Sequence, residues 1–491
     1  MTTIDVIDPL TGDKLHEIDA HSASDVALRF LEASKAQKAW GEMAPRDRAR
    51  IASRISDEVA ANQEQLMDVL QRETGKSRAH AFEEVTGALG AIAYYAKITP
   101  RAMRRAKVKA GVPFMLSAYV EPAPVGVVGI ITPWNYPLAL TMMDVIPALM
   151  AGNAVVQKAD NQTALTVKLA RELAVGAGIP ADVWTVVHGD PTEVGNAVTD
   201  NADYVAFTGS TPTGKLVAQR AASRLIGYSL ELGGKNPMIV LPGADLEKAA
   251  ESAIGGAFGN SGQLCVSIER LYVPNHAIKQ FEEILKRRVE TLTLGVSNNF
   301  DYDLGALSST NQLTRVSQFV ERAIAEGARL VTGGKVLDEI GPNFFAPTVL
   351  TDIPLGAEIL HKEVFGPVIA LVGYDSLDEA VELANATEFG LNASVFGDRK
   401  LGIETASRLM AGSVNVNEGY RATMASMAAP MGGMKQSGMG RRSGVNGLLR
   451  FTESRTIGVA NKSPIGLPTR AKQYKFMAPV MTKLVRLMGK L

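Results

Sequence analysis

Between Val125 and Leu241 the chain alternates short apolar runs with longer helical stretches. VGVVGII, NAVVQK, VWTVVHG, DYVAFTG and PMIVL read as strands, and segments such as Thr163 to Val175 read as the helices between them. That rhythm predicts βαβ units and a mostly parallel sheet covered by helices. A second α/β rhythm follows, with strand Arg270–Val273, helices His276–Leu292 and Asn311–Glu326, and strand Ala328–Val331. It continues to about Val416. Before both, residues 22 to 98 are rich in Ala, Leu, Glu, Arg and Gln and predict helices, the first capped near Ser24-Asp25. Near Gly111 the pattern turns β-branched and proline-punctuated, so LSAYVEPAPVGVVGIITPWN predicts strands.

The fold class is therefore α/β, with two doubly wound parallel-sheet domains. Composition adds exclusions. Fifty-one basic residues balance fifty-one acidic ones, which leaves no overall electrostatic footprint for nucleic acid. The start, MTTIDVIDPLTG, lacks the basic-then-apolar order of a signal peptide, and no apolar run reaches the length of a membrane span. The single cysteine, Cys265, permits no intrachain disulfide and fits a reducing cytoplasm. The tail beyond Lys462 carries Arg470, Lys472, Lys475, Lys483, Arg486 and Lys490 and no acid. Tyr474 to Leu491 could form an amphipathic helix on a membrane surface, although Pro479 is expected to break it.

Several short motifs offer chemistry, and each alone admits an ordinary structural role. AFTGSTPTGK (Ala206–Lys215) puts glycine where a strand hands over to a helix, a turn that can cradle a pyrophosphate or simply be tight. Lys158 ends a predicted strand, where nucleotides bind in open α/β sheets. ITPWNYP stiffens Asn135 between prolines, so its amide could meet an oxyanion. LELGGKNP sets Glu231 among leucines, where a raised pKa suits a general base. KEVFGPV offers Glu363 and Phe365 on one strand-like face, for a ribose and a flat heterocycle. SGQLCVS holds the lone thiol, either a buried small hydrophobe or a nucleophile.

Taken together and in this order, the motifs decide. Thr132–Pro137, Phe207–Thr211, Leu230–Asn236, Gly262–Cys265, Glu363-x-Phe-Gly-Pro367 and the late APMGGMKQSGMGR resemble the aldehyde dehydrogenase superfamily, from about residue 5 to residue 460. The resemblance implies a dinucleotide-binding domain (1–111 and 125–240), a catalytic domain (241–449), a β-flap joining subunits (112–124 and 450–462) and a basic tail (463–491). It implies Cys265 as nucleophile, Asn135 with the Cys265 N–H as oxyanion hole, and Glu231 as base. Cofactor contacts carry over to Thr132, Trp134, Asn135, Lys158, Gly209, Ser210, Leu232, Glu363 and Phe365. The stretch Ala159, Asp160, Asn161 departs from the family pattern. NAD-preferring members place a ribose-binding glutamate where Asn161 stands, so NADP is favoured, with NAD as the alternative and Asp160 as a countervailing charge. No metal is implied.

The pattern looks most like the actinobacterial type of succinate-semialdehyde dehydrogenase, which implies succinic semialdehyde as substrate. Two positions speak against a carboxylate. That branch carries arginines where this chain has Met143 and Gly259, which supports a longer-chain or aromatic aldehyde instead. Arg421 is the candidate substitute. A non-catalytic structural protein or a CoA-acylating enzyme on the same fold is disfavoured by an intact Cys265, Asn135 and Glu231. A cytoplasmic homodimer or homotetramer acting on a small-molecule aldehyde completes the expectation.

Overall fold

The computed structural model describes residues 3–111, 116–461 and 470–488. The apolar runs form two sheets. In the first, strands Gly227–Glu231, Tyr204–Thr208, Val127–Ile131, Ala154–Lys158 and Trp184–Val187 lie side by side in that order and run parallel. Gly438–Met439 closes its edge antiparallel to Gly227–Glu231. Helices cover both faces, so the inner strands are buried throughout and their sequences read as continuous apolar runs. The chain begins this sheet at Val127–Ile131, builds outward on one side, then reverses to Tyr204–Thr208 on the other. The carboxyl ends of those two neighbours make the switch-point crevice where open α/β sheets bind ligands. Thr132–Asn135 and Thr208–Ser210 emerge there.

The second sheet has seven strands, in the order Arg329–Thr332, Thr348–Thr351, Val368–Tyr374, Ile268–Pro274, Asn236–Val240, Asn392–Phe396 and Ser413–Val416. Only the first of these is antiparallel to its neighbour. PMIVL thus belongs to this sheet and not to the first, which corrects the boundary placed at residue 240. The chain crosses over at Gly233-Gly234, just after Glu231. A buried parallel strand looks alike in either sheet, so its apolar pattern could not assign it.

A third sheet pairs Thr452–Ala460 with Leu116–Pro124 and that strand with Ala106–Val108, all antiparallel. Its first two strands lie in the stretches 112–124 and 450–462 where a β-flap is expected, of which residues 112–115 and 462 fall outside the described residues. Its strands are half-buried or exposed. An N-terminal hairpin, Thr3–Ile7 with Lys14–Asp19, was not anticipated.

Helices occupy 23–42, 45–61, 63–74 and 78–102 as the pattern predicts. The first is capped by Ser22, which accepts from Asp25 N while Asp25 accepts from Ser22 N, so the cap sits two residues before the Ser24 expected. Two further expectations change. Glu363 and Phe365 sit in a loop before strand Val368–Tyr374, with Phe365 at φ 61, and not on a strand face. Pro479 does not break the tail: Ala471–Met488 is one helix running through it.

Candidate active site

The helix Leu246–Phe258 ends at Gly259, and the chain then makes a tight turn to Gly262. Asn260 and Ser261 take left-handed φ values of 50 and 53, a conformation that costs energy without glycine and must be held from outside. It is held. Ser261 Oγ donates to Gly305 O at 2.8 Å, and Asn260 Nδ2 donates to Asn135 O at 3.0 Å. Gln263 Nε2 donates to Asn260 O at 3.1 Å, while Gln263 Oε1 accepts from Ser308 N at 2.9 Å. Gly262 (φ 74) packs so closely on the Gly366 carbonyl that a Cβ would collide with it. Cys265 emerges from this fixed turn between buried Leu264 and Val266, itself partly exposed. Burial, Glu231 and Glu363 push its thiol up to about 12.

Asn135 faces the same space. Its Nδ2 donates to Gln263 O at 3.1 Å, which uses one of two amide hydrogens and leaves the other free. Its carbonyl accepts from Lys76 Nζ at 2.9 Å as well as from Asn260. Lys76 is fully buried, pairs with Glu84 and lies 4.3 Å over the Tyr136 ring. Glu84 in turn accepts from Leu138 N at 2.7 Å and Ala139 N at 3.2 Å, the opening N–H groups of helix Pro137–Met150. Sequence reasoning missed this buried pair. Its only trace was two charges in a helical stretch whose neighbours alternate apolar and polar.

Glu231 ends the strand Gly227–Glu231 and is buried. Neither carboxylate oxygen has a hydrogen-bond partner among the described residues. Burial raises its pKa to about 7, with Arg442 and Arg450 pulling the other way. Those arginines are fixed on Asp144: Arg442 Nε and Nη2 donate to it at 2.9 and 2.6 Å, Nη2 also reaches Thr208 Oγ1 at 2.5 Å, and Arg450 joins from the side. This cluster too went unread in the sequence.

Cys265, Asn135 and Glu231 line one cavity of about 200 Å³ together with Trp134, Gly209, Ser210, Leu232, Glu363 and Phe365. Phe365 meets Trp134 edge to face at 5.6 Å. Glu363 accepts from Gly234 N at 2.8 Å, and burial with Glu269 nearby raises its pKa to about 7. Glu269 itself accepts from Val364 N and Phe365 N and pairs with buried Lys235, so it sets the loop. Ser210 Oγ caps helix Thr211–Ser223 by accepting from Thr213 N.

The remaining cofactor candidates lie beside this cavity and not in its lining. Thr132 N donates to Lys158 O at 3.1 Å, and Thr132 Oγ1 accepts from Gln157 Nε2. Lys158 is buried, and its ammonium makes no hydrogen bond or ion pair among the described residues. Burial lowers its pKa, against Asp160 and Asp190. Ala159 is buried, and Asp160 caps the next turn by accepting from Gln162 N at 3.0 Å. Asn161 makes two bonds to one residue: its Nδ2 donates to Gly189 O at 2.9 Å and its Oδ1 accepts from Gly189 N at 3.1 Å. This residue, expected near the ribose, thus also ties down the neighbouring loop.

A second cavity of about 410 Å³ reaches Cys265 and Asn135 from the other side. Its wall is mostly apolar, with Tyr136, Met143, Leu264, Met424, Met427 and Met431 prominent, and Glu83, Glu84, Thr86 and Arg421 are among its charged and hydroxyl members. Met143 is buried in it. Gly259 leaves no room for a longer side chain, because a Cβ there would stand 2.7 Å from the Tyr420 hydroxyl. Arg421 sits at the rim, and its charge is already answered. Its Nη2 lies 3.3 Å from Glu83, its Nη1 4.0 Å from Glu418, and its guanidinium rests on the Tyr420 ring.

The model of the aldehyde dehydrogenase family matches residues 1–457 of the chain. A protein of Mycolicibacterium smegmatis, provisionally named an NADP-dependent succinate-semialdehyde dehydrogenase, is 44% identical over 485 residues, which are 98% of this chain and 94% of that one. An Escherichia coli crystal structure described as an NADP-dependent enzyme superposes with a TM-score of 0.90 at 33% identity, covering 94% of this chain and 95% of that one. The Staphylococcus aureus betaine aldehyde dehydrogenase in complex with NAD+ does so with a TM-score of 0.90 at 30% identity, covering 95% and 94%.

Proposed function

This chain belongs to the aldehyde dehydrogenase family, and on that premise we propose that it oxidises apolar aldehydes to carboxylic acids with NADP, through covalent catalysis at Cys265. The carbonyl would enter from the 410 Å³ cavity and meet the thiol where the two cavities join. The Cys265 sulfur attacks the carbonyl carbon, and Glu231, whose two oxygens have no other partner, takes the thiol proton. The oxyanion is held by the spare Asn135 amide hydrogen and the Cys265 N–H. After oxidation the acyl group is a thioester on Cys265. Glu231, once it has passed the thiol proton to solvent, draws a proton from water as the water oxygen adds to the thioester, and the acid leaves as Glu231 returns that proton to the Cys265 sulfur.

The residues of the smaller cavity fit a nicotinamide dinucleotide. Trp134 and Phe365 wall a slot beside Cys265, Glu363 is a buried carboxylate for a ribose, and a capped helix N-terminus stands ready for a pyrophosphate. Lys158, buried without a partner and with no glutamate at position 161, suits the extra phosphate of NADP. When bound, the dinucleotide supplies the hydride acceptor.

The observation that carries the substrate class is the second cavity's wall. It is mostly apolar and methionine-rich, the lining that adapts to varied shapes. A carboxylate there would lack a free cation, since Arg421 is already paired. Succinic semialdehyde is the second reading, favoured by the name of the M. smegmatis relative and by Arg421 at the rim. The test compares succinic semialdehyde with pentanal and benzaldehyde, each with NADP and NAD, in wild type and in Arg421→Ala. We expect higher kcat/KM for the neutral aldehydes, better use of NADP, and equal effects of the mutation on all three substrates. Preference for succinic semialdehyde with its selective loss in Arg421→Ala would replace the first reading by the second.

A further inference from the structure

The helix Ala471–Met488 has no place in the chemistry above, and it is the part of the chain least explained by it. It has eighteen residues, and every side chain described in it is exposed. Among the described residues no other element packs closely on it. Among its residues are large apolar groups that a helix normally buries: Phe476 is 80% exposed, Val480 62% and Leu487 57%. Its charges are Lys472, Lys475, Lys483 and Arg486, with no acid.

At 100° per residue these charges share one face. The four cations fall within an arc of roughly 80° and the apolar residues spread over roughly 200° opposite. The cations also span nearly the whole length of the helix, about 20 Å from Lys472 to Arg486 at 1.5 Å per residue. Pro479 lies inside that basic arc. Its missing N–H leaves the Lys475 carbonyl without its helical donor, and that carbonyl also lies on the basic side, where water can reach it. This is why the proline is tolerated.

We propose that this helix is a docking element for an anionic lipid bilayer, lying in the interface plane with its apolar arc immersed. The chemistry favours that occupant over a second copy of the chain. A two-helix seam uses a narrow stripe and would leave much of a 200° apolar arc in water, roughly half or more. A bilayer interface covers a broad arc, and a ridge of cations without acids matches acidic headgroups while long lysine stems reach up to them. The Lys475 carbonyl that the proline leaves unpaired stays on the wet side, as hydrocarbon requires. Among the described residues no helix is long and apolar enough to cross a membrane, so the helix lies on the surface and does not span it.

The experiment is co-sedimentation of the full-length protein with vesicles of phosphatidylcholine alone or mixed equally with phosphatidylglycerol, at low and high salt. Binding is expected only to the acidic vesicles and to weaken with salt. Replacing Lys472, Lys475, Lys483 and Arg486 together by Gln, or Phe476 and Val480 together by Ser, should each weaken binding by on the order of 10- to 100-fold. Deleting residues 470–491 should abolish it and leave oxidation of pentanal in solution unchanged, which shows that the body is intact. Undiminished sedimentation of the deletion variant would overturn the proposal. So would equal binding to neutral vesicles. A fall in the particle mass of the deletion variant by light scattering, without vesicle binding by the wild type, would assign the helix to a second copy instead.

Discussion

The two cavities that meet at Cys265 are built on opposite principles. In and behind the wall of the smaller cavity, proposed for the dinucleotide, buried charges are held by fixed partners: Glu363 on Gly234 N, and behind it Glu269 on Val364 N and Phe365 N and Arg442 on Asp144, while Glu231 has no partner among the described residues. Around the larger cavity, proposed for the aldehyde, the wall is mostly methionine, leucine, valine and tyrosine, with Glu83 paired to Arg421 at the rim and Glu84 paired to Lys76. Partnered buried groups hold their positions, so the first side has one geometry and presents the unpaired Glu231 carboxylate within it. An apolar wall is satisfied by any well-packed neighbour, so the second side tolerates many. The first sets the reaction and the second sets what is oxidised.

The comparison breaks first at the residue both sides share. Cys265→Ala should lower kcat for every aldehyde by on the order of 10⁴-fold or more. Steady-state turnover in that variant would remove the shared centre.

Next comes the base. Glu231→Gln should lower steady-state kcat by ~10²- to 10⁴-fold yet keep a burst of reduced coenzyme in stopped-flow absorbance, provided deacylation is its main task. Its pKa of about 7 fixes a sign. The carboxylate is the active form, so activity should rise with pH through about 7 and fall below it. Glu363 titrates in the same range, so Glu363→Gln is the control. The acidic limb should persist in that variant, and its disappearance would move the base role to Glu363.

The aldehyde side is sharpened by adding the cation it lacks. Met143→Arg should raise the ratio of kcat/KM for succinic semialdehyde over pentanal by ~10- to 100-fold, as a charge-assisted pair in a dry wall allows. An unchanged ratio would mean that Met143 does not face the substrate. Gly259 is not an equivalent site, because the Tyr420 hydroxyl occupies that space.

The smallest effect concerns the thiol itself. Glu231 is among the groups that hold Cys265 up at about 12. At pH 8 Glu231 is mostly carboxylate, so Glu231→Gln removes a negative charge and should speed iodoacetamide alkylation of the coenzyme-free protein several-fold, roughly the worth of one nearby charge. At pH 6 Glu231 is mostly protonated in the wild type, and the two proteins should react alike. Equal rates at both pH values would separate the two residues electrostatically.

What the sequence determined by itself was local and chemical. The apolar runs announced buried parallel strands because such strands need no polar face. The lone thiol, the Asn135 loop and Glu231 each admitted an ordinary role, and stood out through the joint resemblance of their motifs to the aldehyde dehydrogenase family. The tertiary structure alone decided the rest. PMIVL joined the second sheet because a buried strand's pattern carries no address. Lys76 and Glu84 met under Asn135, and Arg442 and Arg450 met on Asp144, because a buried charge is stable only beside a partner that the chain brings from far away. Asn161 turned out to clamp Gly189, and Arg421 to face Glu83. A side chain's type limits the bonds it can make, but only its packed neighbours determine which of them it makes.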